Sequence, residues 1–372
     1  MATSARSPSS DLQDQRKTGG RTKSPAPFFC AASPIGGHMA ENRNIADEAA
    51  RLLGAGAVER AVELVSGAAR RGDADALNEL ALWHVYGSPL RRDFGLARLF
   101  FGRAGEAGHK GAAVTHAVFV ALGAGADPDW SAALALLRSA AGDDPAAARQ
   151  LTIIDAMALD KDGRPLSLPG AIRCAASPDV QCYSALFSPD ECMHLMALSE
   201  PLLVPSIVVD SRTGRQSPNP VRTSFGAVLG PIQQDLVVHA LNLRIAAATQ
   251  TSVDQGEPLV VLRYEPGQQY RAHHDGLPGE PNQRGRTVIA YLNADYIGGE
   301  TSFSAADMAI KGRQGDAISF ANTLPDGRID ERSRHAGQPV LSGSKWVCTR
   351  WIRNERFDPW GLRTPSPHVR AR

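Results

Sequence analysis

Between positions 44 and 158, apolar and small residues recur at helical spacing, as in Ala97, Phe100, Phe101 and Ala104. Residues three and four apart share one helix face. The pattern itself repeats. Asp93 and Asp129 lie 36 residues apart, as do Gly72 and Gly108, and Gly87 and Gly123. Ala61, Ala97 and Ala133 are successive steps of the same length, as are Ala68, Ala104 and Ala140, and Ala76, Ala112 and Ala148. Agreement at one offset predicts a helix-turn-helix unit that buries its face only against neighbouring copies. An Ala-rich helical bundle with accidental matches is the alternative. From about 181 the pattern changes. Short β-type runs at 258–264, 287–293, 316–320 and 346–352 are bounded by Gly, Pro, Asp or Asn, and helical stretches near 189–199 and 232–249 precede them. This predicts a closed or double-sheet all-β core. The Asp-, Gly- and Pro-containing segment 159–180 reads as a linker. Residues 1–43, rich in Ser, Pro, Gly, Lys and Arg, read as a disordered tail, and 357–372 as a second tail.

Composition narrows the function classes. The chain has 372 residues, enough for two domains or slightly more at roughly 150 residues each. Its 40 Lys plus Arg against 39 Asp plus Glu leave a net charge of +1, so the strong basic field of a nucleic-acid binder is missing. With 43% hydrophobic residues it can bury a core. No apolar run is long enough to span a membrane. The apolar piece Phe28-Phe29-Cys30-Ala31-Ala32 is too short for a signal-peptide core, Asp11 and Asp14 count against a transit peptide, and Met39 is an alternative start. The five cysteines, at 30, 174, 182, 192 and 348, form no Cys-x-x-Cys. Neither a disulfide framework nor a zinc ribbon is expected, and a cytoplasmic location fits.

Chemistry concentrates near the C-terminus. If 269–275 is extended, alternation puts His273 and Asp275 on one face and His274 on the other. An imidazole and a carboxylate so placed can share a metal, and a second His from a distant strand would complete a facial triad with open positions, as in non-haem Fe(II) oxygenases. Downstream, Lys345 lies ten residues beyond His335 inside a β run. An inward Lys there needs an anionic partner; alternatively it faces solvent.

Two resemblances follow from the motifs. The series Ala76-Leu77, Leu80-Ala81, Tyr86-Gly87, Asp93, Ala97, Ala104 and Ala107-Gly108-His109 resembles the Sel-one-like repeat, a relative of the tetratricopeptide repeat. It covers about two full units and a half unit on each side, and implies an α-solenoid used for protein contacts. The second unit departs from the pattern, with Leu122 at the Tyr position and Asp143-Asp144 near its end. Arg263-Tyr264-Glu265-Pro266-Gly267, His273-x-Asp275, Tyr291-Leu292-Asn293, Gly298-Gly299-Glu300-Thr301, Gly315-Asp316-Ala317, His335-Ala336-Gly337 and Lys345-Trp346, in this order, resemble the prolyl 4-hydroxylase family of Fe(II)- and 2-oxoglutarate-dependent dioxygenases.

That resemblance implies an α+β multidomain chain: α-solenoid repeats over 44–158, then a double-stranded β-helix, or jelly-roll, oxygenase core with flanking helices over 181–356. It implies Fe(II) ligation by His273, Asp275 and His335, and 2-oxoglutarate binding by Lys345 with Tyr264, Tyr291 and Thr349. O2 would be consumed, and ascorbate is a further candidate cofactor. The product chemistry implied is C–H hydroxylation with release of succinate and CO2, on a prolyl residue of a protein or peptide recruited by the helical repeats. Arg222, Arg284 and Trp351 are substrate-contact candidates, with packing or salt-bridge roles as the alternative. Peptide-hydroxylating relatives often carry Trp-x-His where this chain has Trp351-Ile352-Arg353, which leaves a small molecule or free amino acid open as substrate. A non-catalytic, repeat-based interaction protein is the remaining alternative. The loop 276–286 reads as a mobile lid or an ordinary hairpin loop.

Overall fold

The computed structural model describes residues 44–209 and 216–360. The expected tail 1–43 and most of the expected C-terminal tail, 361–372, lie outside the described residues.

Helices fill the N-terminal region: α1 Ile45–Gly54, α2 Val58–Arg70, α3 Ala74–Tyr86, α4 Phe94–Glu106, α5 Lys110–Leu122, α6 Trp130–Ala140 and α7 Pro145–Ala156. The sequence period has a physical cause. Asp93 and Asp129 are the N-caps of α4 and α6, and Asp73 and His109 are those of α3 and α5; each side chain accepts a backbone N–H of the first turn. Gly87 and Gly123 end α3 and α5 in the left-handed region, at φ 73° and 70°, which favours glycine. Ala61, Ala97 and Ala133 are completely buried, and such small side chains let each helix pack closely on the next.

The C-terminal region is strand-rich, with α8 Pro189–Ser199 and α9 Leu236–Thr249 beside it. Its strands are β1 Ala171–Ala175, β2 Val180–Tyr183, β3 Val204–Pro205, β4 Ile207–Val209, β5 Gln216–Pro218, β6 Phe225–Leu229, β7 Leu259–Tyr264, β8 Tyr270–His273, β9 Arg284–Tyr291, β10 Ile297–Gly298, β11 Thr301–Phe303, β12 Met308–Ile310, β13 Ala317–Ala321, β14 His335–Gly337, β15 Val340–Ser342 and β16 Lys345–Arg353. An eight-stranded antiparallel sheet has the order β1-β2-β13-β9-β16-β7-β6-β3, and a four-stranded one β12-β11-β14-β8. The pairs β4-β5 and β10-β15 stand apart.

Strand β16 shows how the site is placed. All nine of its residues are buried, because both faces are covered. Trp346, Cys348 and Ile352 join one core with α5–α9, whereas Val347 and Trp351 join a second core with Phe303 of β11. Strand alternation therefore sends Lys345, Val347, Thr349 and Trp351 toward one side. On the other side, buried Arg350 donates to the carbonyls of Asn242 (2.8 Å), Val253 (2.9 Å) and Glu257 (3.3 Å). Burial alone pushes this guanidinium down to about 9.

Two expectations require correction. The segment 159–180 is more than a linker, since β1 lies within it and forms the edge of the eight-stranded sheet. A disulfide joins Cys174 to Cys182, with Cα atoms 6.1 Å apart. The antiparallel β1–β2 pairing sets Ile172 opposite Cys182, and Cys174 lies two residues on, at an irregularity between Arg173 and Ala175; spacing alone does not reveal this. Among the described residues no helix is long and apolar enough to cross a membrane.

Candidate active site

Strands β8 and β14 are neighbours and set His273 directly opposite His335. Asp275 follows the end of β8, with Oδ1 3.5 Å from His273 Nε2 and Oδ2 3.7 Å from His335 Nε2. The ligand-type atoms of these three residues lie within 4.8 Å of one another. His274 turns elsewhere, 3.2 Å from the Glu331 carboxylate, as the alternation argument expects.

The imidazoles are oriented from behind. His273 Nδ1 is 2.8 Å from the Arg271 carbonyl, and His335 Nδ1 is 3.0 Å from the Ser333 carbonyl. A carbonyl only accepts, so each Nδ1 donates to the backbone and each Nε2 is the ring nitrogen that faces the cluster. Burial pushes His335 down to about 4 against the pull of Asp275, which keeps it neutral at pH 7. Burial opposes ionisation of Asp275, but His335, His273 and the Thr287 hydrogen bond outweigh it and hold the carboxyl well below the usual range. His273 Nε2 is buried without a hydrogen-bond partner. Two imidazoles and a carboxylate, with His273 Nε2 unpartnered among the described residues, form a donor set that fits Fe(II).

A supporting layer fixes this geometry. Thr287 Oγ1 donates to Asp275 Oδ2 at 2.6 Å, and Asn322 Nδ2 donates to Thr287 Oγ1 at 2.8 Å. The Tyr270 ring stacks on His273 with centroids 3.5 Å apart, and Phe320 meets His335 edge-on at 4.6 Å.

Lys345 is 3% exposed, and Nζ donates to the Gly299 carbonyl at 2.7 Å. Gly298 and Gly299 adopt φ 74° and 69°, a turn open to glycine; a Cβ on Gly299 would come within 3.1 Å of Lys345 Cδ. Burial pushes the ammonium down to about 8, with Glu300 opposing. A carbonyl is its only hydrogen-bond partner among the described residues, so the buried cation calls for an anion. The solvent-facing alternative for Lys345 is thereby excluded.

One cavity joins the two features. His273, Asp275 and His335 line it together with Lys345, Tyr264, Thr349 and Trp351, between apolar walls of Leu262, Ile289 and Val347. Burial pushes Tyr264 up, so its hydroxyl keeps its proton. Tyr291 is not in the lining. Its hydroxyl donates to Thr301 Oγ1 at 3.1 Å, and Thr301 lines the cavity instead. Arg222 and Arg284 stand behind lining residues: Arg222 lies 5.6 Å from the Tyr270 ring centroid, and Arg284 lies 4.0 Å from that of Trp351. Arg284 is held by Glu257 through two contacts of 2.6 and 2.7 Å, and Arg353 binds the same carboxylate at 2.6 Å. Of the supporting residues only Thr301 falls within the motifs quoted above, and nothing in its spacing marks it as a site residue; Tyr270, Thr287 and Asn322 lie outside them.

Residues 259–353 match the model of the 2OG-Fe(II) oxygenase superfamily. Over 229 residues the chain is 36% identical to prolyl 4-hydroxylase 1 of Arabidopsis thaliana, covering 56% of this chain and 81% of that protein. Among solved structures, a viral collagen prolyl hydroxylase from Paramecium Bursaria Chlorella virus-1 in complex with 2OG is 26% identical, with 47% of this chain and 95% of that chain covered at a TM-score of 0.39. A Sel1 repeat protein from Oxalobacter formigenes is 24% identical, with 27% and 41% covered at a TM-score of 0.25. Oxygenases of the matched superfamily use Fe(II), 2-oxoglutarate and O2, and the buried His-Asp-His cluster is a candidate for the iron. With 36% identity over an alignment that covers 81% of a curated prolyl 4-hydroxylase, the chain belongs to the prolyl 4-hydroxylase family of 2-oxoglutarate-dependent dioxygenases.

Proposed function

We propose that this enzyme hydroxylates an unactivated C–H bond of a prolyl residue in a protein or peptide, with 2-oxoglutarate converted to succinate and CO2. The observation that carries this reading is the shared cavity: a His-Asp-His cluster, whose His273 Nε2 has no hydrogen-bond partner among the described residues, and a buried ammonium that bonds only a carbonyl among them line the same space.

Fe(II), held by His273, Asp275 and His335, supplies dioxygen activation and C–H oxidation when bound. The chain's own residues bind, orient and exclude water. Lys345 pairs with the distal carboxylate of 2-oxoglutarate, and Tyr264 and Thr349 offer hydroxyls to the same group. Tyr291 acts one step back by fixing Thr301. Leu262, Ile289 and Val347 keep the cavity dry, which strengthens the charge pairing. Trp351 and Tyr270, backed by Arg284 and Arg222, form the wall that faces substrate. Arg353, at the position where peptide-hydroxylating relatives often carry His, is engaged by Glu257 and by the Asn282 carbonyl at 2.6 Å and is not part of the cavity lining.

In this reading the two sheets form a jelly-roll that begins at β1, and the helices of 44–158 form an α-solenoid that recruits the protein substrate. The test is incubation of the purified chain with Fe(II), 2-oxoglutarate, O2 and a library of Pro-containing peptides. Gain of one oxygen atom on a Pro, matched by succinate, is expected. Succinate formation stimulated only by free amino acids or other small molecules would overturn the peptidyl assignment.

A further inference from the structure

The segment after β16 joins the helical repeats to the loop that follows Asp275. Asn282 Nδ2 donates to the carbonyls of Glu355 and Arg356 at 3.2 and 3.1 Å, and Asn282 Oδ1 accepts from the Glu355 N–H at 2.9 Å. The Asn354 N–H donates to the Gln283 carbonyl at 2.9 Å. Further along, the Phe357 ring centroid lies 5.4 Å from the Arg353 guanidinium. Trp360 then reaches the repeats. Its ring lies 4.5 Å from that of Phe94 and 5.4 Å from that of Phe119, and its carbonyl accepts from Arg92 Nη1 at 2.6 Å.

Asn282 and Gln283 belong to the loop 276–283. This loop starts directly after Asp275 and ends directly before Arg284, whose guanidinium packs on the cavity-lining Trp351. The Gln283 side chain braces it internally, bonding both the N–H and the carbonyl of Leu277 at 2.6 Å. From outside the loop, Arg353 of β16 donates to the Asn282 carbonyl at 2.6 Å and lies 3.7 Å from the Glu280 carboxylate, and the strap 354–360 adds the contacts described above.

We propose that Trp360 is a positioning residue: anchored between Phe94 and Phe119 of the helical repeats, it holds segment 354–360 against Asn282 and Gln283 and thereby sets the loop between Asp275 and Arg284. The repeats then act on this loop through the strap, without touching substrate. Long-range coupling of this kind travels through a contiguous chain of contacts, and each link here is a direct one.

Hydrogen–deuterium exchange on the full-length chain tests the proposal without iron, 2-oxoglutarate or turnover, so its outcome is independent of the reading of the site. In Trp360→Ala, peptides covering 276–283 should exchange about tenfold faster, the effect of roughly one net hydrogen bond on local opening. Peptides from β7 and β16 should keep wild-type protection, and Trp360→Phe should restore the loop. Asn282→Ala should accelerate the same peptides, and the double variant should add little, as expected for two links of one chain. Wild-type exchange over 276–283 in a Trp360→Ala protein whose 354–360 segment has been freed would overturn the proposal. If Trp360→Ala fails to fold, Trp360→Leu is read by the same criteria.

Discussion

Lys345→Ala isolates the anion-binding half of the site. The ammonium is 3% exposed, its one hydrogen bond among the described residues goes to the Gly299 carbonyl, and burial lowers it to about 8. Removing one member of a buried charge pair costs about 2–5 kcal/mol, so the Kd for 2-oxoglutarate should rise about 30- to 5,000-fold. Fe(II) affinity should stay near wild type, because Lys345 is not among the grouped ligand-type residues. A pH signature accompanies this. The bound dianion stabilises the protonated Lys, so the complex binds more protons than the free protein above about pH 8. Affinity is therefore level below that value and falls about tenfold per pH unit above it. The assay is anaerobic titration of the Fe(II) protein with 2-oxoglutarate, followed by the visible charge-transfer band, from about pH 6.5 to about 9.5 on either side of that value. A Kd change in Lys345→Ala below about threefold, the worth of an exposed pair, with an unaltered pH profile, would refute the reasoning.

Two further substitutions address the supports. Thr287→Val removes the 2.6 Å bond to Asp275 and leaves Asn322 Nδ2 without its acceptor; Fe(II) affinity measured by anaerobic titration should fall about 10- to 100-fold, and unchanged affinity would exclude an orienting role. Glu257→Ala leaves Arg284 and Arg353 without their common buried counter-ion. Unfolding in urea should show a loss of about 3–5 kcal/mol, and a loss below about 1 kcal/mol would place the triad among exposed pairs.

How much of this was legible in the sequence depends on whether a residue's task is local. The 36-residue period could be read because Asp93 and Asp129, and Gly87 and Gly123, perform the same capping tasks in successive units, and caps depend only on nearby backbone. His273, Asp275, His335 and Lys345 could be read because their order in a known motif is preserved. Tasks set by strand register were hidden. Asn322 backs Thr287 because β9 pairs with β13 and Thr287 stands opposite Phe320, two residues from Asn322. Tyr291 has a motif position but bonds the cavity-lining Thr301 and does not line the cavity itself. The Cys174–Cys182 bond joins a residue of the expected linker to β2 through a pairing that spacing does not encode. Trp360 sits in a stretch with no periodicity, and its neighbours Phe94 and Phe119 come from more than 200 residues earlier in the chain.

The central claim is that His273, Asp275 and His335 hold Fe(II) beside a 2-oxoglutarate bound through Lys345. The most direct measurement adds Fe(II) and then 2-oxoglutarate to metal-free protein under nitrogen and records the visible metal-to-ligand charge-transfer band, in wild type and in His335→Ala. A band in wild type that is absent in a folded His335→Ala protein is the expected result. A folded wild-type protein with no band, or a His335→Ala protein with an undiminished one, would contradict the claim.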